Sequence, residues 1–264
     1  MSRTRSFITR VVFWGAIAVV ISGCSSSSSG DTDRSSKKIR LNVSASASLA
    51  RAFDEIYTVF ELQFPAISVS STFAGSATLV TQIQNGATAD VVALADTTNM
   101  EKLREVGQIN PATVKIFATN TMTIAVPRKN PNKVAGLRDL ADESINVVLC
   151  APNQPCGAYA RQILENAGLS VSPKSLETSV GGVISKISNG QADAGIVYVT
   201  DTLAAAKTVG AVSIPAALNI TALYPIARRA ELSTTVQKAA DTFIAFVLGK
   251  SGTEILNKYG FRLP

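Results

Sequence analysis

The stretch ISVSSTFAGSATLVTQIQNG, Ile67 to Gly86, carries the fold in miniature. Ile67 to Phe73 reads as a strand. A helix starts near Ser76, turns Leu79 and Ile83 inward, and stops at Asn85-Gly86, a common C-terminal signal. Only small or hydroxyl residues separate strand from helix. A strand feeding a helix in this way is the repeating step of an α/β protein.

The same step recurs on both sides. Ile39 to Val43 alternates apolar Ile39, Leu41 and Val43 with Arg40 and Asn42, the pattern of a strand. Leu49, Phe53, Ile56, Tyr57 and Phe60 then fall on one helical face. Strands are predicted over Val91 to Leu94, Thr121 to Val126 and Ile145 to Leu149. A helix bearing Tyr159, Ile163 and Leu164 stops at Asn166-Ala167-Gly168, and one bearing Val183, Ile184 and Ile187 stops at Asn189-Gly190. Ala194 to Tyr198 reads as a buried strand, and Thr234 to Leu248 as a last helix leading into the tail. From Lys38 onward the chain exceeds the usual size of one core, so two lobes are expected. Ligands in open α/β sheets bind beyond the carboxyl ends of strands, which places a cleft between the lobes.

The first residues carry different information. Arg3, Arg5 and Arg10 precede an apolar run from Val11 to Ile21, which has the order of a secretory signal and is short for a membrane span. Ile21-Ser22-Gly23-Cys24 resembles a bacterial lipobox, whose cysteine is acylated, with palmitate among the expected chains. Residues 1–23 are thus the expected signal and 24–37 a Ser-rich tether that holds a lipid-anchored protein to the outer face of the cytoplasmic membrane. The whole chain has 25 basic and 19 acidic residues; without the three signal arginines, 22 stand against 19. That scattered excess forms no basic run with interleaved aromatics, so no nucleic acid partner is expected. There is no His, the commonest zinc ligand and the usual base of a nucleophilic triad. Cys150 and Cys156 either pair as a disulfide or stay as thiols, since spacing does not fix geometry.

Four segments place small or hydroxyl residues at an expected helix start: Ser44 to Leu49, Phe73 to Leu79, Gln154 to Gly157 and Ser179 to Gly182. The first N–H groups of a helix have no partner within it, and that end is electropositive, so it suits an anion. Ser is also a common N-cap, and any one segment reads as well that way. None of the four contains Lys, Arg, Asp or Glu. Neutral donors alone suit a fully deprotonated oxyanion, which offers acceptors and no proton. Asp90, Asp96 and Asp201 are the acids that would change this if they lay close. An enzyme is not expected: Ser48 and Ser76 lack a base and a Gly-x-Ser-x-Gly setting. Gly249-Lys250-Ser251 mimics the end of a phosphate loop, but Ile244 stands where its first Gly is needed.

Ala47-Ser48-Leu49, Phe73 to Leu79, Gly86-Ala87-Thr88-Ala89-Asp90, Gly195-Ile196-Val197-Tyr198 and Tyr259-Gly260-Phe261 stand together in an order that resembles the molybdate-binding proteins of bacterial ABC uptake systems, over essentially all of Ile39 to Pro264. The resemblance implies a type II periplasmic-binding-protein fold, with 38–118 plus 224–264 as lobe 1 and 119–223 as lobe 2. It implies a monomer that takes molybdate or tungstate and passes it to the permease subunits of the transporter. Sulfate is the alternative, smaller ligand. Ser48 and Ser76 would donate backbone N–H and hydroxyl groups, Cys156 and Val180 backbone N–H groups, and Tyr198 its phenol O–H. Molybdenum would be held only as the oxyanion, with no direct protein ligand and no cofactor. Cys156 stands where the family often has Ala; a backbone donor tolerates that change, and pairing with Cys150 would brace the loop.

Overall fold

The computed structural model describes residues 38–264. The expected signal, Cys24 and the tether lie outside them. Elements are numbered in chain order. β1 (Ile39–Ser46) pairs in parallel with β2 (Ile67–Ala74) and β3 (Val91–Ala93), with Leu41 opposite Val69 and Val43 opposite Val91. β9 (Thr221–Arg228) runs antiparallel to β3 on one side and to β4 (Lys115–Pro127) on the other. The order is therefore β2-β1-β3-β9-β4.

β4 then leaves this sheet and enters a second one. Lys115 to Thr121 pair with β9, whereas Met122 to Ala125 pair with β7 (Gly195–Tyr198) and Thr123 to Pro127 with β8 (Val209–Ser213). β5 (Val148–Cys150) lies parallel to β6 (Ser175–Glu177), and Val147 bridges Ala194 in parallel just before β7. Two sets of parallel strands result, β2-β1-β3 and β6-β5-β7, joined through antiparallel β4 and β9.

The helices cover these strands because alternate residues point to opposite faces. In β3, Val91 and Ala93 enter the large core with α1 (Ala50–Gln63) and α7 (Thr234–Leu248). Val92, between them, enters a smaller core with Leu79, Val80 and Ile83 of α2 (Ser76–Gln84) and with Met100 and Leu103 of α3 (Thr97–Glu105). Phe243 of α7 anchors the larger core, its ring 5.1 Å from Phe60, 5.8 Å from Tyr57 and 6.3 Å from Phe53. Each such ring contributes roughly 1.5–3 kcal/mol by leaving water. The second parallel set carries α4 (Pro155–Asn166), α5 (Val180–Ser188) and α6 (Val199–Ala204).

Several expectations need correction. The strand expected over Ile145 to Leu149 lies at Val148–Cys150, because Ile145 donates its N–H to Asp142 in a turn and Asn146 donates to the Asp193 carboxylate. The strand expected from Thr121 starts six residues earlier, at Lys115. Between Leu248 and the tail at Gly260 to Pro264 stands a helix that was not expected, α8 (Lys250–Lys258), which Glu55 of α1 holds through Lys258 and Tyr259. Of the two states left open for Cys150 and Cys156, the structure has the disulfide, with sulfurs 2.05 Å and Cα atoms 5.7 Å apart, which needs no correction.

One acid is caught in the packing. Asp201, in the first turn of α6, accepts the Tyr198 N–H at 3.1 Å. The residue keeps some surface, yet protein atoms crowd its carboxyl, and that desolvation pushes its pKa up to about 7 against the pull of the N–H. An unfolded aspartate titrates at about 3.9. Between these values the folded chain holds a proton that the unfolded chain lacks, so this contribution to stability is complete below pH ~4 and is lost as pH rises through ~7. Asp201→Asn, which keeps an oxygen for the Tyr198 N–H, should flatten the fall in urea stability across that window. An unchanged slope in the variant would exclude Asp201 as its source.

Candidate functional site

The carboxyl ends of both parallel strand sets meet at one small cavity. Its wall is formed by Ser46 to Ser48 after β1, Gly75 and Ser76 after β2, Ala95 after β3, Gln154 to Cys156 after β5, Ser179 and Val180 after β6, and Tyr198 at the end of β7. All five residues expected at the site (Ser48, Ser76, Cys156, Val180 and Tyr198) thus line a single space. Ser46, Gly75, Gln154 and Ser179 also line it; they belong to the four expected helix-start segments but were not expected as donors, and Ala95 lies outside those segments. Ala95 lies two residues past the end of β3, and the strand-end rule alone would have pointed to it.

All four helix starts expected from sequence open on this cavity. The first begins as a 3-10 turn at Ala47 and continues as α1; the others are α2, α4 and α5. None of the four is capped by the side chain of its own N-cap residue, although Ser46 and Ser179 stand in two of those positions. Elsewhere the protein does cap: Asp96 accepts from Asn99 N–H at the start of α3, and Ser233 from Val236 N–H at the start of α7. The simple capping reading therefore fails at the cavity and holds away from it.

No ionisable acid or base other than the Tyr198 phenol lines the cavity. Asp90 is engaged by the backbone and side-chain amides of Asn42, at 2.7 and 2.8 Å, and Asp96 by its own helix. Asp201 lines a larger neighbouring cleft of about 210 Å³ instead, with Arg51 and Tyr259. That cleft shares Ala47 and Ser48 with the cavity but lies along helix flanks rather than at strand ends, so it is not where the donors converge.

The hydroxyls are held with different firmness. Ser76 Oγ accepts from Ala95 N–H at 3.1 Å and pairs with Ser46 Oγ at 2.6 Å, while Ser48 Oγ pairs with Tyr224 at 3.0 Å. Tyr198 is 2 % exposed, and its hydroxyl is one of two buried side-chain polar atoms without a partner among the described residues. The other belongs to Tyr57, within the aromatic core. Burial, reinforced by the nearby Tyr224, Tyr159, Asp201 and Asp96, pushes the Tyr198 pKa far up, so the phenol keeps its proton and acts as a donor. A buried unpaired hydroxyl costs about 1–3 kcal/mol, which a ligand acceptor would recover.

Size narrows the ligand. The cavity measures about 20 Å³, above the roughly 10–15 Å³ that one water needs and far below the ~300–1,000 Å³ of pockets for organic ligands. Among the described residues no group of three or more His, Cys, Asp or Glu could hold a metal ion.

The chain as a whole is similar to known proteins. Residues 41–262 match the family model described as bacterial extracellular solute-binding protein. The molybdate-binding protein ModA of Mycobacterium tuberculosis is 42 % identical over 223 residues, covering 84 % of each chain. The solved periplasmic molybdate-binding protein of Azotobacter vinelandii superposes with a TM-score of 0.73 at 22 % identity, covering 85 % of this chain and 99 % of that one. The sulfate-binding protein SubI of Mycobacterium tuberculosis gives 0.76 at 18 % identity, covering 85 % and 87 %. At those identities the two structures speak for the fold, that of the periplasmic binding proteins. The family match and the 42 % relative go further: the chain belongs to the bacterial extracellular solute-binding protein family.

Proposed function

We propose that this protein captures molybdate, or tungstate, outside the cytoplasm and hands it to the membrane subunits of an ABC importer. The observation that carries this reading is the convergence of four helix N-termini, uncapped by their own side chains, on a cavity without an ionised side chain. Each helix end presents a partial positive charge of about half a unit, and together they favour a compact anion. In this reading Ser48 and Ser76 donate N–H and hydroxyl groups, Cys156 and Val180 donate N–H groups, and Tyr198 completes the shell with its phenol. No carboxylate lines the cavity to accept an anion's own proton, which disfavours hydrogen phosphate.

Molybdate is preferred because the 42 % identical relative is a molybdate-binding protein. Sulfate is the second reading, favoured by the fold shared with SubI. Tungstate and molybdate are nearly equal in size, and hydrogen bonding hardly separates them. The lobes of this reading are 38–118 with 224–264, and 119–223. Their boundary falls close to the point in β4, between Thr121 and Met122, where pairing passes from β9 to β7. The protein acts as a monomer, anchored through acylated Cys24.

Molybdate at about a hundredfold over its dissociation constant should stabilise the protein by roughly 2.7 kcal/mol, read as a rise in melting temperature. A shift with sulfate and none with molybdate or tungstate would reassign the ligand. Tyr198→Phe and Ser48→Ala should each weaken molybdate binding by about 1.5–3 kcal/mol, the usual worth of a hydrogen bond to a charge. Titration calorimetry giving wild-type affinity would take the altered residue out of the site. Mass spectrometry of protein from membranes should find a diacylglyceryl mass on Cys24; an unmodified cysteine there would end the anchor proposal.

A further inference from the structure

Gln154 stands at the N-cap of α4 but makes no side-chain bond to its own helix. Its amide reaches across the cavity to the start of α2. Oε1 accepts the Ala77 N–H at 3.2 Å, and Nε2 donates to Thr78 Oγ1 at 3.0 Å. The side chain is 2 % exposed. Its backbone is fixed on its own side, with N–H donated to Ala151 and C=O accepting from Ala158 N–H, next to the Cys150–Cys156 disulfide.

Gly75 faces this amide from the other wall. Its backbone is extended, φ −63° and ψ 145°, which any residue adopts, so local conformation does not require glycine. The requirement comes from across the cavity: a Cβ on Gly75 would overlap Gln154 Oε1 and the Thr178 carbonyl oxygen. The carbonyl is backbone and has nowhere to rotate. The two walls therefore touch at Gly75 with no room for a methyl group.

We infer that Gln154 is a positioning residue that latches the two walls together over the bound oxyanion, with Gly75 as its seat. The inference rests on the oxyanion reading of the cavity. The amide occupies the second N–H of α2 and leaves the first, on Ser76, for the anion. Being neutral, it does so without placing a carboxylate beside a negative ligand. Escape of the anion requires the walls to part, and parting breaks both amide bonds. Entry precedes their formation. The latch therefore acts on the rate of release and hardly on the rate of capture.

The test uses the mature protein with molybdate as probe, in stopped-flow binding and melting experiments. Gln154→Met keeps the length of the side chain and removes both bonds. Gly75→Ser inserts a Cβ yet keeps a favoured N-cap residue. Both variants should release molybdate about tenfold faster or more, with association within about twofold of wild type, since two neutral hydrogen bonds are lost. Ligand-free melting temperatures are measured beside the release rates, to separate loss of the latch from loss of fold stability. Wild-type release rates in both variants would overturn the latch, as would a lower ligand-free melting temperature with unaltered release. If the wild-type protein itself fails to respond to molybdate, the oxyanion reading falls first and the latch with it.

Discussion

Four electropositive helix ends aimed at one point repel one another, and everything around the cavity answers to that constraint. Each end adds a partial charge of the same sign around one small cavity. Caps from the helices' own N-cap side chains would relieve the repulsion, and these are missing here while present at α3 and α7; only Gln154 reaches one of the N–H groups, on Ala77 of α2. An anion relieves all four ends at once. In this reading the anion balances the charge of helix ends that the packing of the two walls has already brought together.

The same constraint explains which residues are small. Serine, alanine, glycine and valine line the helix starts, so that backbone N–H groups, rather than long charged side chains, meet the ligand. Backbone donors are rigid and keep their positive end at every pH. The Tyr198 phenol behaves alike, since burial holds its proton in place. The disulfide sits behind Cys156, where it fixes the turn between β5 and α4 without entering the donor set as a thiol.

What was legible in the sequence was local. The strand-to-helix junctions at Ala74-Gly75-Ser76 and Gln154-Pro155-Cys156 are written in neighbouring residues, and so are the stops at Asn85-Gly86 and Asn189-Gly190. The central strand β9 was not legible. It holds Pro225, which argues against a central strand, and the sheet accommodates it with a register shift in β4 between Ile116 and Ala118. β6 and β8 are short and take their character from partners far along the chain. Gln154 read as an element of a helix start because its true partners, Ala77 and Thr78, lie 77 and 76 residues away. Chemistry between residues brought together only by folding leaves no periodic trace.

The path of β9 also governs how the molecule comes into being. β3, all three residues of it buried, pairs with β1 on one side and waits for β9 on the other. Val91 meets Arg228, so more than half of the described chain must emerge before the first sheet is whole. Until then β3 presents an apolar edge, the kind of surface on which chains aggregate. Sequence-distant pairing of this sort slows folding. A nascent chain of this design gains from being kept unfolded until its last third has arrived, and β4, shared by both sheets, then lets the two complete as one cooperative unit.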